Sequence, residues 1–361
     1  MPVVIVGSGR CGSSMITRML ALCGLNIGSR ADMTNQPDCY NPTGYWENRA
    51  FYSIDEKILR HYGGNELVPP VLPTNWQFDE SLEPIVSEAI LAVQKLSSNS
   101  KDWGWKDPRS SLTLPFWQRI IPNLKVVICV RNPLDVAFSY KHYVAGYGDI
   151  ADCLGANQGL INWRTYTASA IETTTIHDRI FTYYEDYFPD YHEPLSRLLK
   201  FCGLPEVERE SALDRQLQSF HDPSLKHYKS TLLDLIEKPD VPGEVKVLYQ
   251  RLLDWREDPC VGEPPLRALA KEYALLPRID LASYDSDKIC KIVHGYIGLE
   301  SRRLRLEGTL ALRSHRFATK ISSALEWRRR HVTQLKAFVA DRYNRFVALF
   351  DKEQRLPPLR W

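Results

Sequence analysis

Val3-Val4-Ile5-Val6 is an unbroken apolar run. After a glycine-rich turn, Met15, Ile16, Met19, Leu20 and Cys23 follow at helical spacing until Gly24. The run predicts a strand buried on both faces, and the spacing by threes and fours predicts an amphipathic helix. The alternation recurs along the chain. Helices are predicted over 49–61, 82–96, 112–121, 158–176 and 192–201, the last closed by Cys202-Gly203-Leu204-Pro205. Between them, Trp103 and Trp105 alternate as a short strand that stops at Pro108. Lys125-Val126-Val127-Ile128-Cys129-Val130 is the clearest strand, and 179–185 reads as another. Asn132 and Pro133 supply the cap and first-turn proline of a further helix, with Leu134, Val136, Ala137, Tyr140, Tyr143 and Val144 on its buried face. Strands alternating with helices predict an α/β fold: an open, mostly parallel, P-loop-like sheet with helices on both faces.

The pattern changes at residue 258. A proline-rich connection, Pro259 to Pro265, precedes helices that run to the end. The last carries Phe317, Ile321, Leu325, Val332, Leu335, Val339, Tyr343, Phe346 and Phe350 on one face, flanked by Arg328-Arg329-Arg330. Two regions are therefore expected, an α/β domain over 1–257 and an all-helical extension over 258–361.

Charge sharpens that division. The whole chain is nearly neutral at +2, which gives no global argument for nucleic acid. Residues 298–361, however, hold 15 Lys/Arg against 6 Asp/Glu, which leaves −7 for the rest. The arginine cluster reads as a solvated helix face, with contact to an anionic membrane surface or partner as the alternative, and the helix is expected to pair across a homodimer or to fold back on the core. Eight cysteines without a Cys-x-x-Cys pair, several inside apolar runs, read as buried thiols of a reducing compartment. With no signal peptide ahead of Val3 and no spanning segment, a cytoplasmic location is expected.

The candidate chemistry sits at strand ends, where open parallel sheets bind ligands. Gly7-Ser8-Gly9-Arg10-Cys11-Gly12-Ser13-Ser14 joins the first strand to the first helix, an arrangement that aims backbone amides at a phosphate. Its glycines are spaced as in a nucleotide-binding P-loop, but Ser13 stands where the lysine belongs and the cation is Arg10. The strongest strand ends in Arg131, which attracts an anion where a kinase or NTPase would hold a metal. Ser139, eight positions on, lies two helical turns away on a course to share that anion. Lys106, Asp107 and Arg109 end the Trp103–Trp105 strand, and Tyr184–Glu185 ends the next. No metal-ligand spacing is present among the histidines.

At these residues the chain resembles the sulfotransferases that use 3′-phosphoadenosine 5′-phosphosulfate (PAPS). The loop around Arg10 is similar to that family's 5′-phosphosulfate loop, with Gly9 in place of the common proline. Arg131 and Ser139 match its 3′-phosphate element, and Lys106-Asp107-Pro108 is similar to a run in tyrosylprotein and many bacterial members. The resemblance covers about residues 2–256. It implies PAPS as co-substrate, 3′,5′-ADP as product, no metal, and an acceptor hydroxyl or amine, with a glycan or lipid-linked sugar favoured. By the same resemblance Ser8, Gly9, Arg10, Cys11, Gly12, Ser13, Ser14, Arg131, Ser139 and Tyr184 hold the nucleotide. Arg10 and Lys106 serve the sulfuryl group and Glu47 is the base, with Asp107 in reserve, because the histidine of the cytosolic subfamily is absent. A first-turn glutamate stabilising its own helix is the other reading of Glu47. A nucleotide kinase and a non-catalytic scaffold with a partner-binding tail are the rival readings of the whole chain.

Overall fold

In the computed structural model, residues 1–34, 40–98, 100–145, 157–276 and 278 are described. The chain divides into two units, Met1–Gly295 and Tyr296–Trp361, and the described residues all belong to the first. The expected amphipathic tail helix and its arginine cluster lie outside the described residues.

Four parallel strands form one sheet: β1 (Pro2–Val6), β2 (Trp103–Lys106), β3 (Lys125–Val130) and β4 (Arg179–Tyr183), in the order β2-β1-β3-β4. Val4 pairs with Trp105 on one side and Val126 on the other, and Val127 pairs with Ile180. Val3, Val4, Ile5 and Val6 are all fully buried, as are Val126 to Val130. Successive strand residues face opposite ways, so burial of every one requires cover on both faces. Helices supply it. Among them, α1 (Ser13–Leu22) packs on β1 and β2, α4 (Ser110–Ile120) on β1, α6 (Gln158–Glu172) on β3, and α7 (His192–Cys202) on β4. The expected α/β architecture is the one observed.

The chain leaves β1 for the edge strand β2 and then crosses back over β1 to β3. The connections thus diverge between the C-terminal ends of β1 and β3, the place where such sheets open a crevice. The loop 7–12 leaves from β1 there, and α5 (Pro133–Ala145) begins just past the end of β3.

Two expectations need correction. Helix α6 stops at Glu172 rather than near 176. Thr173 and Thr174 turn their hydroxyls back to the carbonyls of Ser169 and Ala170, a local bond that competes with helix continuation. The proline-rich stretch is helix α11 (Pro259–Tyr273), following α10 (Gly243–Glu257). Asp258 caps it through the amides of Cys260 and Val261, and Pro259 takes the first position, where a missing N–H costs nothing. The carbonyls that Pro264 and Pro265 leave unbonded face the exposed end around Val261. The helix is held against the sheet by the Arg179 guanidinium, which grips both oxygens of Glu263 at 2.5 and 2.6 Å. Leu266 and Ala270 are fully buried beneath it.

Candidate active site

The loop 7–12 is shaped by contacts that exclude side chains. Gly7, at φ +129°, lies so near the Cys129 carbonyl that a Cβ would sit 2.5 Å from the oxygen. Its amide donates to Ser111 Oγ at 3.0 Å. Gly12, at φ +82°, lies under the Tyr184 ring, where a Cβ would meet Cδ2 at 2.2 Å. Arg10 also holds a left-handed backbone, φ +71°, uncommon for a residue with a Cβ and concentrated at functional positions. Helix α1 therefore starts from a glycine that offers no side chain to its first-turn amides, which leaves that end ready for an anion. Gly12→Ala is expected to cost about 1–3 kcal/mol through strain and the Tyr184 clash, read by chemical denaturation alongside weaker nucleotide binding.

The loop, the end of β3 and α5 then meet. Arg131 Nη1 donates to the Arg10 carbonyl at 3.2 Å, and its guanidinium lies 4.5 Å from the centre of the Tyr184 ring. Arg10 Nε donates to Ser139 Oγ at 2.9 Å, and Arg10 Nη2 to the Tyr40 carbonyl at 2.7 Å. Two turns of α5 thus bring Ser139 to Arg10, whose carbonyl in turn accepts from Arg131. Buried Arg131 Nε makes no hydrogen bond among the described residues, as is also true of Arg179 Nε far from the loop. Asp135 balances the charge from 3.7 Å.

A second charged group lies at the end of β2. Lys106 Nζ donates to Glu47 Oε1 at 2.7 Å, with both residues buried. Glu47 precedes Asn48, whose side chain caps α2 (Arg49–His61) through the Ala50 amide. The capping task is therefore done by Asn48, and Glu47 points at Lys106 instead. Trp46, at φ +60°, fixes this turn, with its ring between the guanidinium groups of Arg18 and Arg30 at 4.6 and 5.0 Å. Its indole N–H donates to the Thr43 carbonyl. Burial alone would raise the Glu47 carboxyl, but Lys106 and Arg109 outweigh it and hold the group below the ordinary carboxylate range.

A cavity of about 250 Å³ joins the two groups. Of the sequence-predicted residues, Ser8, Gly9, Arg10, Gly12, Ser13, Ser14, Glu47, Lys106, Arg131, Ser139 and Tyr184 line it. Gly9 has open space around the position of a Cβ, so the departure from proline removes no contact. Ser14 Oγ donates to the Tyr45 carbonyl at 3.1 Å, which ties α1 to the turn carrying Glu47.

Cys11 does not line the cavity. Its side chain is fully buried, where desolvation pushes the thiol up to about 12, and its amide donates to the Ser8 carbonyl. The reserve base, Asp107, does not line it either. It lies one residue past Lys106, its Oδ1 accepts from both the amide and Nε of Arg109, and burial drives its carboxyl well upward.

Sequence reasoning missed part of the wall. Phe220, Asp222, Leu225, His227 and Tyr228 close one side of the cavity, and Tyr52, Glu66, Asn162 and Tyr166 another. The segment around 230 is tied to the β3–α5 turn. Asn132 Nδ2 donates to the carbonyls of Ser230 and Thr231, and the Ser230 amide donates to Asp135 Oδ1. Neither segment has a repeat or motif to mark it; the only local signal was Asp222-Pro223, a turn former. No group of three or more His, Cys, Asp or Glu side chains placed to hold a metal occurs among the described residues.

A family model described as the sulfotransferase family matches residues 2–209. The chain belongs to the sulfotransferase family. The matched stretch of this sulfotransferase holds the loop, Glu47, Lys106, Arg131, Ser139 and Tyr184, and ends before the wall at 220–228. No curated protein matches in sequence. Among solved structures, the chain is similar to the sulfotransferase STF9 of Mycobacterium avium, with 12% identity, 64% of this chain and 69% of that one covered, and a TM-score of 0.39. It is also similar to the sulfotransferase domain of the Synechococcus PCC 7002 olefin synthase, with 16% identity, 81% and 94% covered, and a TM-score of 0.36. A third is the sulfotransferase of Alicyclobacillus acidocaldarius, with 16% identity, 60% and 90% covered, and a TM-score of 0.32. No helix among the described residues is long and apolar enough to cross a membrane.

Proposed function

We propose that this sulfotransferase moves the sulfuryl group of PAPS to a hydroxyl or amine of an acceptor, with a glycan or lipid-linked sugar favoured. The observation that supports it is the convergence of Arg10, Arg131 and Ser139 on an uncapped helix N-terminus, joined by one cavity to the Lys106–Glu47 pair. Arg131, Ser139 and the Tyr184 ring form the 3′-phosphate site, and the Ser8–Ser14 backbone with Arg10 the 5′-phosphosulfate site.

In the reaction the acceptor oxygen or nitrogen attacks sulfur in line with the bond to the bridging phosphate oxygen. A new bond to sulfur forms, the bridging S–O bond breaks, and its electron pair stays on the departing 3′,5′-ADP. The acceptor proton passes to Glu47. Lys106, and Arg10 once it turns from Ser139 and the Tyr40 carbonyl, stabilise the charge that develops on the sulfuryl and bridging oxygens. Lys106 gives one of its three N–H donors to Glu47 in the free enzyme, and as it turns toward the sulfuryl oxygens its hold on the carboxylate weakens at the moment Glu47 must accept a proton. The acidic limb of kcat, which reports the bound state, is therefore expected at higher pH than the acidic limb of kcat/KM, which reports the free enzyme. Below each limb Glu47 is protonated and activity is lost. Coincident limbs in the two profiles would count against Lys106 exchanging partners.

Titration calorimetry with 3′,5′-ADP tests the donor half. Binding is expected in EDTA as in its absence, and preference for ATP with Mg²⁺ would favour a kinase. Transfer of labelled sulfate from PAPS to lipid, glycan and small-molecule extracts tests the rest, and bound nucleotide without transfer to any acceptor would leave a non-catalytic scaffold. The buried free thiols Cys11, Cys23, Cys129 and Cys202 support a reducing, cytoplasmic setting.

A further inference from the structure

Arg109 has no part in the proton transfer or the donor contacts, yet its guanidinium meets three carboxylates on three elements. Nε is 2.8 Å from Asp107 Oδ1, Nη1 is 2.8 Å from Glu66 Oε2, and Nη2 is 3.7 Å from Glu47 Oε2. The face of the guanidinium lies 3.8 Å from the centre of the Tyr52 ring, and the side chain is 2% exposed. Each nitrogen is aimed at a different acid, a geometry that a lysine, with a single point of charge, does not reproduce.

We infer that Arg109 is the positioning residue of the active site, holding Glu47 in line with Lys106 while it anchors Glu66 in the cavity wall. This rests on the reading of Glu47 as base. The Tyr166 hydroxyl fixes the other side of that wall by donating to the Glu66 carbonyl at 2.8 Å. The three acids do not share one fate. Burial pushes Asp107 and Glu66 upward, whereas Glu47, also drawn by Lys106, goes down. Of the three, the acid whose ionised form is favoured is the one beside the cavity's lysine. The charged and titratable groups facing Glu47 are Lys106 at the end of β2, Arg109 and Asp107 in the turn after it, Glu66, and Tyr52 on α2.

Arg109→Lys tests the assignment. It is expected to lower kcat by about 10²-fold, the scale of a misplacement near 1 Å, with 3′,5′-ADP affinity within about twofold of the parent. The acidic limb of kcat/KM is expected to move upward, because a cation that keeps Glu47 ionised is displaced. Tyr52→Leu removes the stacked ring and no charge. It is expected to move the same limb in the same direction by less, and it keeps the test open if the lysine variant does not fold. An unmoved limb in whichever variant folds would overturn the inference, because a purely structural arginine would alter thermal stability and leave the profile in place. Glu47→Gln, measured beside them, separates the two readings. Full turnover in that variant removes the base itself, whereas its loss together with an unmoved limb removes only the role of Arg109.

Discussion

Glu47→Gln is expected to reduce kcat by about 10²- to 10⁴-fold, the range associated with a positioned general base. The substitution keeps the shape of the side chain and leaves the amide oxygen able to accept from Lys106, so the turn at Trp46 and the cap at Asn48 should survive. Affinity for 3′,5′-ADP is expected to stay within a few-fold, since Arg131, Ser139 and the loop are untouched. Steady-state turnover with PAPS and titration of the product nucleotide, run on the same preparation, read the two halves separately. Unchanged turnover would disqualify Glu47. Asp107 would not become the heir by default, because both the amide and the side chain of Arg109 already engage its Oδ1 and it has no face on the cavity.

Arg131→Ala carries the other large effect. The side chain is nearly buried, stacks on Tyr184 and lines the cavity beside the loop, so its guanidinium is placed to meet a bound anion. Hydrogen bonds to a charged group contribute about 1.5–3 kcal/mol each. Loss of one or two of them from the 3′-phosphate corresponds to a weakening of about 10- to 10⁴-fold in the dissociation constant of 3′,5′-ADP. Ser139→Ala, which removes one neutral hydroxyl, should cost less. A calorimetric titration in which Arg131→Ala binds like the parent would place the 3′-phosphate elsewhere.

Much of this was legible in the chain because the relevant signals are local. The strand over 125–130 and the helix over 49–61 have the bounds that their apolar pattern implies, fixed by Asn132-Pro133 at one and Asn48 at the other. Helical periodicity sets Arg131 and Ser139 at a separation that can share one anion, and the structure brings both to Arg10. What escaped is long-range. Lys106 and Glu47 are 59 residues apart, and no spacing rule connects them; only the packing of α2 against the end of β2 does. The three partners of Arg109 come from three segments, and a sequence shows its position at a strand edge without its neighbours. The wall at 220–228 has no amphipathic period to betray it. Proline misled at 259–265, where Asp258 and an exposed first turn make a helix of what composition reads as a connector.

The bonds from Asn132 and Asp135 to residues 230 and 231 have a consequence for how such a protein diversifies. The groups proposed to react lie within residues 2–209, as does the wall of Tyr52, Glu66, Asn162 and Tyr166. The wall at 220–228 comes from downstream and is tied in by Asn132, Asp135 and the Phe138–Tyr228 ring contact. Changes at His227 and Tyr228 can therefore reshape that wall without altering the groups proposed to react. Asn132 and Asp135 are where the two segments join, so a change at either side chain would be felt on both sides of the cavity.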